Sequence, residues 1–270
     1  MLEILSFSFM QRALVAGFFV GLACAILGLF LVLRRDAMIG HGLSHITFGG
    51  IALGLFLNWA PLLVALVVAV LSSLVIFKLR KTARLAEDTS IGILSSAGMA
   101  IGIVLATVSG KFNVDLFSYL FGNILAIETF EVIAAVLLAA GVIAVVTLFY
   151  QEFLFQTFDS ESAQTAGIRI HRLDNLLAIL TSVTVVIGMK VVGILLVAAM
   201  LVIPAAAGLQ IAASFRQAML FSSLVSVGSV LAGLFMAYYW DLPASGTIVL
   251  LSFLAFVILW GFQVVRKQRG

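Results

Sequence analysis

Residues 13–33 read ALVAGFFVGLACAILGLFLVL and run directly into Arg34-Arg35. No charge interrupts the stretch, and at about 1.5 Å per residue a helix of this length matches the ~30 Å hydrocarbon core of a bilayer. A soluble helix would show one polar face over this distance. This one is apolar all round and stops at a pair of cations, as a membrane span does at the headgroups.

The rest of the chain repeats the pattern. Of 270 residues 63% are hydrophobic, and only 10% are charged, 15 basic and 12 acidic; soluble domains carry about 25% charged residues. Mean hydropathy is +1.26. A soluble globule must present more polar groups to water, and a disordered chain requires low hydrophobicity, so both classes are excluded. The single cysteine, Cys24, allows no internal disulfide. A net charge of +3 is compatible with a nucleic-acid partner, but the basic residues lie in short groups between apolar runs, which is how charge orients membrane segments. No nucleic acid is expected. No small-residue cleavage site ends a short apolar run near the start, so the first span is expected to be retained.

The sequence predicts an all-α, polytopic integral membrane protein with about nine transmembrane helices, at 13–33, 38–57, 60–79, 90–109, 128–150, 173–189, 191–211, 217–239 and 244–265. The sixth and seventh are separated only by Met189-Lys190. With the N-terminus outside and the C-terminus inside, nine spans place Arg34, Arg35, Lys78, Arg80, Lys81, Arg84, Arg169, Arg172, Arg216, Arg266, Lys267 and Arg269 in the cytoplasm. Arg12, Lys111 and Lys190 remain outside. The span count and the positive-inside rule therefore agree.

Three connections stand out. Residues 34–45 are polar and glycine-bearing where a short turn would suffice. Residues 110–127 are aromatic and moderately amphipathic, as expected of a segment in the outer interface. Residues 151–172 form the longest cytoplasmic connection and carry much of its charge.

The sharpest chemical feature is Gly40-His41-Gly42-Leu43-Ser44-His45. Histidines four apart share a helical face, and imidazole suits zinc and other transition metals. They read either as metal ligands or as hydrogen-bonding groups at a helix start. The spacing is that of a zinc-protease helix, but Gly42 stands where the general-base glutamate would be. Gly49, Gly50 and Gly54 suit close helix packing. Pro204, inside the seventh span, is expected to kink or interrupt it, lining a pathway or serving packing alone. No phosphate-binding glycine loop followed by Lys and Ser/Thr occurs, so a nucleotide driving transport would be hydrolysed by another chain.

Taken in order, Leu33-Arg34-Arg35, the Met38–His45 stretch, Phe158-Asp159-Ser160-Glu161-Ser162-Ala163 with Gly167-Ile168, and Val192–Val197 leading to Ile203-Pro204-Ala205-Ala206 resemble the permease subunits of bacterial ABC importers for zinc, manganese or iron(II). The opening Met1–Ser6 with Phe9-Met10 is similar to zinc-uptake permeases of Gram-positive bacteria. The resemblance implies one permease domain spanning residues 1–270 of a multi-pass protein in the bacterial cell membrane, surrounded by lipid. It also implies a homodimer that binds two ATP-binding subunits in the cytoplasm and an extracytoplasmic metal-binding protein outside. Asp159, Glu161, Ala163 and Gly167 fall in the family's coupling segment; read alone, the same loop is simply a solvated one. Family members commonly carry Asp where His41 stands, four before the retained His45. Two nitrogens in place of a carboxylate and a nitrogen favour zinc over manganese.

The resulting expectation is a transport subunit, not an enzyme, with no tightly bound cofactor. It would pass Zn2+ along His41 and His45, with Mn2+ or Fe2+ as alternatives. A proton-coupled secondary transporter is the competing class, disfavoured by the scarcity of carboxylates deep in the spans; Glu128, Glu131 and Glu152 all fall near segment ends. An intramembrane enzyme lacks a nucleophile–base pair.

Overall fold

The computed structural model describes residues 6–82, 87–109, 122 and 127–269. Its helices are α1 (Ser8–Leu33), α2 (Met38–Leu57), α3 (Pro61–Thr82), α4 (Glu87–Val108), α5 (Thr129–Leu148), α6 (Tyr150–Phe158), α7 (Ser160–Thr165), α8 (Ile170–Val192), α9 (Ile194–Ile211), α10 (Phe215–Trp240) and α11 (Ala244–Arg269). Eight of them, α1 to α5, α8, α10 and α11, are long and apolar enough to cross a membrane, and α9 is a shorter apolar helix. The chain is an all-helical polytopic membrane protein. Every span expected from the sequence finds a helix.

Several boundaries move, each for a physical reason. The first helix begins at Ser8 rather than near residue 13. Arg12 does not end it, because its guanidinium donates to the Ile127 carbonyl at 2.9 Å and to Ser8 Oγ at 3.4 Å. Nor does Lys190 divide the sixth and seventh spans. Its ammonium lies 3.3 Å from Glu131, so α8 continues to Val192, and the chain breaks at Gly193 with φ 93° and ψ 151°, backbone angles open essentially to glycine. The long connection at 151–172 is largely helical, as α6 and α7. Pro204 does not interrupt its helix: α9 is continuous from Ile194 to Ile211 with the proline inside it. The interfacial segment expected at 110–127 lies, apart from Gly122 and Ile127, outside the described residues.

Helices α1 and α2 form the centre. In each, 72% of the spanning window is buried, against 17% for α4 and 11% for α11. Helix α1 packs against α5, α8, α9 and α10; α2 packs against α3, α4, α8 and α9. Lipid tails are as apolar as leucine, so such contacts depend on close backbone approach rather than on hydrophobic drive. A Cβ on Gly50 or Gly54 would lie 2.7 Å from the Cα of Ala65 or Pro61 on α3, and one on Gly49 would strike the Gly98 carbonyl on α4. Polar side chains inside the bundle satisfy themselves one turn back: Ser44, Thr181 and Ser182 donate to the carbonyls of Gly40, Leu177 and Ala178 at 2.8–2.9 Å.

Candidate functional site

The turn between α1 and α2 sets the position of the histidines. Arg35 adopts φ 62°, the Asp36 amide donates back to the Leu31 carbonyl at 2.8 Å, and α2 starts two residues later. Met38, His41 and His45 then fall on one stripe of its first two turns. Met38 and His41 are exposed and His45 is half-buried, whereas Ile39, Gly40, Gly42, Leu43 and Ser44 face inward. Leu201 of α9 abuts Gly40, and Ile91 of α4 abuts Gly42, so tight neighbours on both flanks fix the helix rotation.

The structure brings the two imidazoles together. Their Nε2 atoms are 3.1 Å apart, with ring centroids at 4.6 Å and planes at 88°. One ring must donate and the other accept, so the pair holds a single shared N–H. With that proton moved to Nδ1 of the donor ring, the pair would offer two neighbouring imidazole lone pairs to a single ion. Among the described residues no group of three or more His, Cys, Asp or Glu side chains is placed to hold a metal. Among the described residues the pair thus offers two donors, where a closed zinc site takes four.

On α4, Thr89, Gly92 and Ser96 are exposed, and nothing lies within 4 Å of where a Gly92 side chain would begin. The result is a small, partly polar strip on a helix that otherwise exposes Ile93, Ile101, Ile103 and Val104. Sequence reasoning missed it; its trace was the run Thr89-Ser90 and Ser95-Ser96 in an otherwise apolar span.

The residues of the expected coupling segment also fall into an ordered unit. Asp159 is the N-cap of α7, its Oδ1 accepting from the Ser162 amide at 2.9 Å. The Ser162 hydroxyl, with that amide bond, holds the Asp159 carboxyl below the usual carboxylate range. Ala163 is fully buried and Glu161 is exposed. Gly167 closes the helix at φ 88°, with its own amide bonded to Gln164 and the Ile168 amide to Ala163, both at 3.1 Å, which is a Schellman ending. Pro204 is buried within α9, one turn beyond the Leu201 that abuts Gly40.

A partly buried network at the same end has no counterpart in the sequence reading. Arg34 forms an ion pair with Asp174 of α8, Gln156 of α6 donates to the same Asp174 Oδ1 at 2.6 Å, and Asp36 Oδ2 lies 4.0 Å from Arg34 Nε. Arg34 read from the sequence as an orienting charge only.

Comparison with known proteins places this architecture. The profile of the ABC 3 transport family matches residues 6–263. The manganese transport system membrane protein MntC of Halalkalibacterium halodurans is 32% identical over 273 residues, covering 99% of this chain and 94% of that protein. A probable iron transport system membrane protein of Haemophilus influenzae is 34% identical, with 98% of each chain covered. Among solved structures, PsaBC from Streptococcus pneumoniae in complex with Fab superposes with a TM-score of 0.86 at 31% identity, over 96% of this chain and 93% of that one. The chain belongs to the ABC 3 transport family, as a membrane-spanning permease subunit rather than an ATPase.

Proposed function

We propose that the protein is the permease of an ATP-driven importer of a divalent first-row transition-metal ion, and that the ion passes the His41–His45 pair. The observation that carries the site is the 3.1 Å convergence of the two Nε2 atoms on an exposed stripe. An imidazole facing lipid is costly, so the stripe needs a polar neighbour. A second copy of the chain supplies one: two-fold pairing across α2 and the Thr89, Gly92, Ser96 strip of α4 brings four imidazoles to one pathway. Weak binding by an open ligand set suits passage, where the ion must also leave.

The names of the relatives support manganese or iron as the cargo. Zinc is kept as a second reading on one specific observation, that both donors are imidazole nitrogens, which suit zinc, copper, iron and nickel better than manganese. In the orientation supported by the positive-inside rule, the Arg34 end of α1 and helices α6 and α7 face the cytoplasm. There Asp159, Glu161, Ala163 and Gly167 present α7 to an ATP-binding subunit, while an extracytoplasmic binding protein delivers the ion on the other side.

The experiment is metal accumulation in cells lacking their other uptake systems, with manganese, iron(II) and zinc offered singly and in competition. Accumulation of one of these ions that depends on the permease supports import and names the cargo. Equal metal content with and without the permease would contradict the proposal.

A further inference from the structure

The Arg34–Asp174–Gln156 cluster occupies an unusual place in the chain. Arg34 stands at the end of α1, in the turn that launches the histidine-bearing α2. Gln156 lies in the last turn of α6, just ahead of Asp159, the cap of α7. Asp174 sits just past the first turn of α8 and bonds to both. One carboxylate oxygen thus joins the segment proposed to meet the ATPase to the base of the helix that carries the ion's ligands.

The cluster is largely shielded from solvent, with Arg34 and Asp174 half-buried. Gln156 and Asp36 are each 4% exposed, and breaking a buried ion pair leaves an uncompensated charge. It is also incompletely used. Arg34 Nη1 and Gln156 Oε1 are buried without a partner among the described residues. One is a donor and the other an acceptor, and both flank the shared Asp174. A sliding of α6 along α1 that brings them together would satisfy both groups. Such a slide would give the cluster a second hydrogen-bonded arrangement, the requirement for an element that switches rather than deforms. Beside it an aromatic group ties the same helices: Phe30 of α1 lies 5.5 Å from Phe153 of α6 and 5.1 Å from Phe215 of α10, centroid to centroid. Helix α6 is thus held by a polar contact at Gln156 and an aromatic one at Phe153.

We infer that Arg34, Asp174 and Gln156 form a clamp that transmits movement of α7 to the base of α2, acting as positioning residues for ATP-driven transport through the histidine pair. The inference rests on the reading of α7 as the ATPase contact. The test uses the complete transporter, permease with its ATP-binding subunit and binding protein, in proteoliposomes, and reads three quantities: ATPase retained on the permease, ATP hydrolysed, and metal moved per ATP. Asp174→Asn and Gln156→Leu are expected to retain the ATPase and its hydrolysis while metal moved per ATP falls on the order of tenfold, within the usual range of coupling between sites. The exchange Arg34→Asp with Asp174→Arg is expected to recover part of that loss, because the Gln156 amide can turn its oxygen to the relocated guanidinium. Unchanged metal per ATP in both single variants would overturn the clamp. So would loss of the folded permease in both, which would make the cluster a folding contact. Failure of the α7 reading is seen separately: in an otherwise unaltered transporter, Glu161→Cys would then form no crosslink to the ATP-binding subunit.

Discussion

Nε2 of His45 lies 3.1 Å from Nε2 of His41, one helical turn away on the open face of α2. Protons and metal ions compete for these lone pairs, because the ligand form of imidazole is neutral. Uptake is expected to fall as the pH at the site is lowered across the range from about 8 to 5, where imidazole ordinarily changes charge. Two imidazolium rings at this separation would also repel each other. His41→Asp replaces one competing base by a carboxylate that ionises near an ordinary pKa of about 3.9. This variant should keep more of its uptake in acid and shift its preference toward manganese, the harder ion. Uptake measured against pH for each metal checks both outcomes; an unaltered profile and preference would contradict them.

The cap of α7 makes a prediction of the opposite kind. Hydrogen bonds from the Ser162 hydroxyl and amide hold the Asp159 carboxyl below its ordinary pKa. The support it gives the folded segment is therefore present above the ordinary carboxylate pKa and is lost only as pH falls through the lower, folded value. Between pH 5 and 8 the cap stays charged, so it adds nothing to acid effects on transport in that range. Asp159→Ala should raise amide exchange at Ser162 without altering the shape of the pH profile.

Gly167 ends α7 at φ 88° with open space around it. A larger side chain meets no neighbour there, so its cost is backbone strain, roughly 1–2 kcal/mol for an L-residue held in the left-handed region and more when β-branched. Gly167→Val should fray α7 and lower ATPase-coupled uptake, with the permease still inserted. Gly167→Asn should be milder, since asparagine tolerates this conformation. Equal activity of the two variants and the parent would show that the helix ending does not matter for coupling.

The spans were legible because each is an uninterrupted apolar run, and a bilayer imposes a minimum length on such runs. The α8–α9 boundary lies at Gly193 and not at Lys190, the charge that marks it in the sequence. The charge is tolerated within the helix by Glu131 on α5, a partner 59 residues away in sequence (190 − 131), and the real break, Gly193, has no local charge to mark it. The histidine pair was legible because its spacing of four is a property of one helix. The Arg34–Asp174 pair was not, because its members are 140 residues apart and meet only when α1 and α8 pack. Helix α6 escaped notice as a nine-residue segment, too short for periodicity to separate from a loop.

Orientation is predicted by the 12-to-3 division of basic residues between the two sides. Cysteines placed at either end of a Cys24→Ala chain should be labelled from outside at the N-terminus and only after permeabilisation at the C-terminus. Both ends reacting from the same side would break the nine-segment arrangement.

The central claim is that metal passes the histidine pair. Its most direct test is uptake by the complete transporter in proteoliposomes carrying His41→Ala, His45→Ala or both, each at a verified equal amount of inserted permease. The account predicts that either single change lowers uptake by roughly tenfold or more, the scale expected for loss of a metal contact. The double change should add little, because one remaining imidazole is already a poor site. Normal uptake in the double variant would mean that these side chains only hydrogen-bond each other at the start of α2.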